Sequence, residues 1–460
     1  MGSASVSLPA IPVFDDEAAS AAQARQEALA KPPGSLGRLE DLAVALAGLV
    51  GTSRPRISSP TVVVAAADHG VVDRGVSAYP SDVTRAMLGA FAREEAAVSA
   101  IADVVGADVV VVDAGVDGDP VGSAEGAAPV IDERIGCGTA DLAAGPAMTR
   151  NDAVAALNAG VRTARIQLAD ADLIALGEMG IGNTTAAAAV TASVTGADPA
   201  RVTGHGTGID EDGRAHKVAI VERALNRADL AAPDTLDPVE VLRQVGGYEM
   251  GLLAGVALGC AADRTPVVVD GVVSGAAALL ADALDGGVRP YLLPSHAGTE
   301  PAHAIQRATL DLEPLFDHGL RLGEGTGAAL AIATYRAACA THNRMATLAD
   351  LADGPASADP GSSTDRSASS HAARDSVQPE SGVASPTPGV PSISTRTRNP
   401  RRVSMVPAAV PRGRESGSEN GSISTHTTAG AARPAAKSAE CPKSSLPVRS
   451  RAGLSASPSR

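Results

Sequence analysis

Short β-branched runs that end in Asp or Gly recur between residues 61 and 295, and Ala-rich segments of helical length separate them. The runs cover 61–68, 107–115, 172–177, 266–271 and, less typically, 291–295; the segments include 83–105, 152–169, 184–194, 248–263 and 274–284. A run that is apolar at every position has two faces to bury rather than one. Alternation of such runs with helices describes a parallel sheet covered on both sides. Ligands of such a sheet bind beyond the carboxyl ends of its strands.

The ends of the chain break this pattern in different ways. Residues 16–30 and 36–49 read as two helices interrupted at Lys31-Pro32-Pro33-Gly34-Ser35, where proline and glycine stop a helix. The last helix, 327–343, has no strand after it, so the terminal helices are expected to pack together as a smaller helical domain. From about Leu351 the periodicity stops: residues 351–460 hold 23 Ser and 13 Pro and no Phe, Tyr or Trp. Such a segment has too little apolar area to offset its ordering entropy and is expected to be disordered. The expected division is 1–60 for the N-terminal helices, 61–310 for the α/β domain, 311–350 for a loop and the C-terminal helix, and 351–460 for the tail.

Charge divides along the same line. Residues 1–350 carry 24 Lys and Arg against 44 Asp and Glu, and residues 351–460 carry 14 against 8. The acidity of the first part argues against nucleic acid or an anionic membrane as its partner. The basic residues after Thr395 (Arg396, Arg398, Arg401, Arg402, Arg412, Arg414) read as an extension without function rather than as a partner-binding tail. The four cysteines lack Cys-x-x-Cys spacing, so no zinc site is indicated. With neither a signal peptide nor an apolar stretch long enough to span a bilayer, the chain is expected to be cytoplasmic.

Two glycine-rich stretches carry chemistry. In Gly323-Glu324-Gly325-Thr326-Gly327 a lone carboxylate stands between glycines where a helix begins. The unpaired N–H groups of that helix end are expected to keep Glu324 ionised, which makes it a candidate general base; a solvated Glu in a flexible loop is the plainer reading. In Gly177-Glu178-Met179-Gly180-Ile181-Gly182-Asn183-Thr184-Thr185 a strand end passes through a glycine loop into a helix with hydroxyls in its first turn, a suitable place for a phosphate. No Gly-Lys-Ser/Thr follows, and no dinucleotide fingerprint is present.

Further ordered motifs accompany these: Lys31-Pro32-Pro33-Gly34-Ser35-Leu36-Gly37-Arg38-Leu39-Glu40, Ala67-Asp68-His69-Gly70-Val71, Gly75-Val76-Ser77-Ala78-Tyr79-Pro80, Gly206-Thr207-Gly208-Ile209-Asp210 and Val269-Asp270-Gly271. Together they resemble the nicotinate-nucleotide:dimethylbenzimidazole phosphoribosyltransferases of cobalamin lower-loop assembly, over about residues 10 to 350. The resemblance implies a Rossmann-like α/β fold and a homodimer. It also implies transfer of the phosphoribosyl group of nicotinate mononucleotide to dimethylbenzimidazole, giving α-ribazole phosphate and nicotinate. Glu324 matches the family's catalytic Glu. Nicotinate leaves as an already cationic ring that recovers its electrons, so the reaction needs no general acid, no metal and no cofactor; Glu178 is a candidate to stabilise the ribosyl cation. Gly180, Gly182, Asn183, Thr184, Lys217 and Ser295 are candidates for phosphate or nicotinate contact, with Lys217 and His296 otherwise read as a solvated lysine and a hydrogen-bonded loop histidine. Asp68-His69 suits a structural or positioning role better than proton transfer. Tyr79, Met87 and Met179 suit the walls of a slot for a flat base. The chain departs from the family at Glu94-Glu95-Ala96-Ala97-Val98-Ser99, where many relatives have Gly-Gly-Ala-Ala-Ile-Asn, and at Thr139, in place of a frequent Asn. The first departure is expected to put bulk and charge near the base. A non-catalytic nucleotide-binding relative, a transferase for a different base, and a bifunctional protein whose tail recruits a partner are the alternatives.

Overall fold

The computed structural model describes residues 5–121, 128–230 and 237–352; the expected disordered tail lies outside them from residue 353 onward. In chain order the elements are α1 (Asp16–Ala28), α2 (Arg38–Val50), β1 (Pro60–Ala67), α3 (Asp82–Ala92), α4 (Ala97–Val105), β2 (Asp108–Gly115), β3 (Val130–Asp132), α5 (Arg150–Gln167), β4 (Leu173–Met179) and α6 (Asn183–Thr195). They continue with α7 (Pro199–Val202), α8 (Glu211–Ala228), α9 (Pro238–Val245), α10 (Tyr248–Ala262), β5 (Val267–Val268), α11 (Val272–Leu284), β6 (Leu292–Leu293), α12 (Pro301–Thr309), α13 (Thr326–Arg344) and α14 (Leu348–Ala352).

The six strands form one sheet in the order β3-β2-β1-β4-β5-β6, and every pairing is parallel. The first strand therefore lies in the middle, with β2 on one side and β4 on the other. Strand order reverses between β1 and β4, the point at which a doubly wound sheet opens a crevice for ligands. All eight residues of β1 are buried, as an apolar run with two covered faces requires.

Small residues let the helical layers approach closely. A Cβ added at Gly160 of α5 would lie 1.9 Å from the carbonyl oxygen of Leu252 in α10, and one at Gly255 of α10 would lie 2.0 Å from that of Leu157. Helix α10 is buried over all its residues but the last, and it packs on α5, α11 and the sheet. Its all-round hydrophobicity is that of a helix with no solvent face.

Two local expectations are corrected. Residues 83–105 form two helices rather than one, because the chain turns at Glu94, whose φ of 59° is left-handed. The strands expected at 266–271 and 291–295 shrink to two residues each, and β3 was not anticipated at all. Such short pairings carry no periodicity to detect.

The terminal helices do meet. Arg25 of α1 donates to the carbonyls of His342, Asn343 and Met345, Gln26 bonds the His342 ring at 3.0 Å, and α2 and α4 pack on α13. Among the described residues no helix is long and apolar enough to cross a membrane.

Candidate active site

The carboxyl ends of β1, β4 and β5 deliver Asp68-His69, Glu178-Met179-Gly180 and Asp270 to the same side of the sheet. A cleft of about 590 Å³ opens there, bordered by some of the residues in the segments 79–87, 178–184, 206–207, 270–272, 296–303 and 319–326. Both candidate carboxylates, Glu324 and Glu178, face it.

Glycine backbones bring those two carboxylates together. A Cβ at Gly177 would fall 2.4 Å from the Glu324 carbonyl oxygen, and one at Gly325 would fall 3.0 Å from Gly177 Cα. On the other side, a Cβ at Gly323 would fall 2.4 Å from Glu178 Oε1. The loop before α13 thus lies backbone to backbone on the end of β4. Glu324 takes a φ of 61° there, a left-handed conformation that costs a non-glycine residue on the order of 1 kcal/mol or more.

Charge in the cleft is set mainly by burial. Glu178 is pushed up to about 8, first by burial, then by the charge of Glu249 and more weakly by those of Asp270 and Glu324; the Asn183 side-chain amide, which donates to its Oε2, pulls the other way. Burial also raises Glu324, opposed by one backbone N–H, that of Val98 near the start of α4. Its Oε2 is buried and has no hydrogen-bond partner.

The expectation that the helix after Glu324 keeps it ionised is therefore corrected. The free N–H groups at the start of α13 go to Asp270, whose Oδ1 accepts from Ala328 N–H at 2.8 Å and which also takes bonds from Gly325, Gly327 and Gly271. Even so, burial raises Asp270 to about 7. In effect β5 caps α13 across the fold, and that cap fixes the Glu324 turn. Residues Glu94 and Glu95 are exposed and do not border the cleft, contrary to the expected bulk beside the base; the segment reaches the site only through Val98 N–H.

Of the other expected residues, Tyr79, Met87 and Met179 border the cleft, as does Val83, and so do Gly180, Asn183 and Thr184. The Asn183 amide is committed to Glu178. Gly182, Lys217 and Ser295 do not border the cleft. Gly182 packs on Val72 and His69 instead. Lys217 is 1 % exposed and stands behind the wall, its Nζ donating to Thr184 Oγ1 at 2.7 Å. Burial lowers it to about 8, against the opposing charge of Glu300. The Ser295 hydroxyl is taken up by the Val269 and Asp270 carbonyls and the His296 ring.

Sequence reasoning assigned no role to Asp270, Glu249, Glu300 or His303. Glu300 accepts from Gly206 N–H at 2.9 Å, and His303 Nδ1 accepts from Gly298 N–H at 3.0 Å. His303 and His296 lie 5.4 Å apart between ring centroids with their planes tilted by 55°, and burial lowers them to about 3 and about 4, which favours the neutral rings. Only the Asp270 position carried a signal, as the centre of the Val269-Asp270-Gly271 motif. Among the described residues no group of His, Cys, Asp or Glu is arranged to hold a metal.

A family model described as phosphoribosyltransferase matches residues 11–352. The nicotinate-nucleotide–dimethylbenzimidazole phosphoribosyltransferase of Roseiflexus sp. (strain RS-1) is 50 % identical over 338 residues, covering 73 % of this chain and 94 % of its own. The Pseudomonas putida enzyme of the same name is 46 % identical over 347 residues, 75 % of this chain and 97 % of that one. Among solved structures, the same-named enzyme of Thermus thermophilus superposes with a TM-score of 0.69 at 43 % identity, over 74 % of this chain and 99 % of that one. A parallel sheet opening at its switch point, two carboxylates held side by side there, and matches that run almost the whole length of these relatives lead to one conclusion: the chain belongs to the nicotinate-nucleotide–dimethylbenzimidazole phosphoribosyltransferase family.

Proposed function

We propose that the chain transfers the phosphoribosyl group of nicotinate mononucleotide to dimethylbenzimidazole, releasing nicotinate and forming α-ribazole phosphate. The observation that carries this reading is the glycine-built pairing of Glu178 and Glu324 beside an apolar wall. Transfer needs one anion beside the sugar and one acceptor for the proton that the attacking base loses. Glu324 serves as that acceptor: burial raises its basicity, which brings a general base closer to its working pH. Glu178 stands beside the ribose. Burial and its acidic neighbours favour its protonated form, and the positive pyridinium ring of the nucleotide favours its ionised form. The negative charge is then in position as the ribosyl cation develops.

The phosphate sits at the corner formed by Gly180, Thr184 and Gly206, where Lys217 polarises the Thr184 hydroxyl from behind. Tyr79, Met87 and Met179 flank the flat base. The same reading includes a homodimer and a cytoplasmic location. Incubating the purified chain with nicotinate mononucleotide and a panel of benzimidazoles and purines, with chromatography for nicotinate and the new nucleotide, tests it. Base-dependent release of nicotinate is expected. No release with any base would overturn the reading.

A further inference from the structure

The motif Lys31-Pro32-Pro33-Gly34-Ser35-Leu36-Gly37-Arg38-Leu39-Glu40 has no task in the reaction above, and none of its residues borders the cleft. Its loop is closed on itself. Lys31 Nζ pairs with Glu40 Oε2 at 2.7 Å, and Glu40 Oε1 accepts from Leu36 N–H at 2.9 Å. From this fixed loop Arg38 opens α2. A cation is out of place there, because the first turn of a helix favours an anion, so another partner must account for it.

That partner is the chain leading to Glu324. Arg38 Nη1 donates to the Pro314 carbonyl at 2.7 Å and Nη2 to that of Glu313 at 2.9 Å. Beyond Pro314 the chain runs alongside residues 295–299: Leu315 N–H donates to Ser295 O at 2.7 Å, Ala297 N–H to Phe316 O at 2.9 Å and Thr299 N–H to Leu320 O at 3.2 Å. The Phe316 ring stacks on His296 with centroids 6.1 Å apart and planes 21° from parallel. Further along, both segments reach the cleft, one with His296, Gly298 and Thr299, the other with residues 319–324, Glu324 among them.

The second segment is gripped at the matching place. Tyr335 of α13, wholly buried, donates its hydroxyl to the Pro294 carbonyl at 2.6 Å. Pro294 and Pro314 each stand one residue before the first rung of the ladder, the bond from Leu315 to Ser295. A two-stranded pairing on its own is marginal in water, so its alignment depends on what holds its ends. Here those ends are held by two helices that lie outside the cleft.

We propose that Arg38 and Tyr335 are positioning residues for the reaction, holding these two segments aligned as one side of the cleft so that the nucleotide meets a site already formed. This rests on the reading of the cleft as the nucleotide's site. With either grip removed, the segments part for some of the time. Apparent affinity then falls with the fraction of molecules still aligned, and saturating nucleotide restores the alignment and with it the rate.

The test uses the full chain with Arg38→Met, which keeps an unbranched stem, and Tyr335→Phe, which keeps the ring. Each is expected to raise KM for nicotinate mononucleotide on the order of tenfold, as for loss of a strong hydrogen bond, with kcat within about twofold of wild type. Amide hydrogen exchange at Leu315 and Thr299 is expected to quicken by a similar factor, while that of β1 does not change. Residues that merely brace the helices would lower the melting temperature and leave KM where it was. That result, or exchange unmoved at both amides, overturns the proposal. The premise fails differently: nicotinate mononucleotide that leaves Leu315 and Thr299 of the wild type unprotected does not bind in this cleft, and the reading of the site itself falls.

Discussion

At Glu324 a single backbone N–H faces a carboxylate that burial otherwise drives toward its neutral form. Glu324→Gln keeps the shape and removes the acceptor, so turnover is expected to fall by about 10²- to 10⁴-fold with both substrates still bound. Steady-state kinetics with binding measured separately checks this, and a Gln variant as fast as the wild type removes Glu324 from the mechanism. Glu178→Gln is expected to lower kcat on the order of 10²-fold with little loss of nucleotide affinity. It also carries a stability signature. The folded Glu178 titrates near 8 and a free Glu near 4.5, so folded protein binds the proton more tightly and wild-type stability declines as pH rises through that interval. The Gln variant lacks that decline, and its melting temperature should gain on the wild type between pH 4.5 and 8; a variant uniformly less stable at every pH would mark Glu178 as a loop brace. Both glutamates were legible in the sequence because each stands among glycines in a motif. Asp270 was not assigned its task because the N–H groups it caps lie more than fifty residues ahead, on a helix that only the fold brings near.

Between elements, the decisive contact is the one between the end of β4 and the loop before α13. Gly177→Ala puts a methyl group 2.4 Å from the Glu324 carbonyl, with backbone on the other side that has nowhere to retreat. An overpacking cost of about 1–3 kcal/mol is expected, together with a drop in kcat as the two carboxylates are pushed apart. Gly145→Ala, whose added Cβ meets nothing within 4 Å, is the control and should stay within about 0.5 kcal/mol of wild type. Denaturant unfolding of the two variants checks both; equal stability would mean the loop yields freely. Strands β1, β2 and β4 were readable because seven or eight residues of buried strand leave an unmistakable apolar run. The two-residue strands β5 and β6 leave only a hint, and the break between α3 and α4 is hidden because Glu94 adopts a conformation that its residue type does not announce.

For the molecule as a whole, the match to the family stops at residue 352, and the composition that can build a core stops at nearly the same place. Deleting residues 353–460 is expected to leave melting temperature and turnover unchanged. A fall of several degrees in a thermal scan of the truncated chain would show that the remainder contributes to stability. Arg25 draws a different consequence from the other end. Its guanidinium grips carbonyls of His342, Asn343 and Met345, and an isolated bridge joins Leu29 to Thr347. Helix α1 thus docks in part on nearly the last part of the globule to emerge. A nascent chain must carry α1 with only α2 to pack on through about three hundred residues of elongation, with β1 likewise waiting for β4 to cover its second edge. Closure of this fold consequently waits on contacts of long sequence separation, which makes it slow.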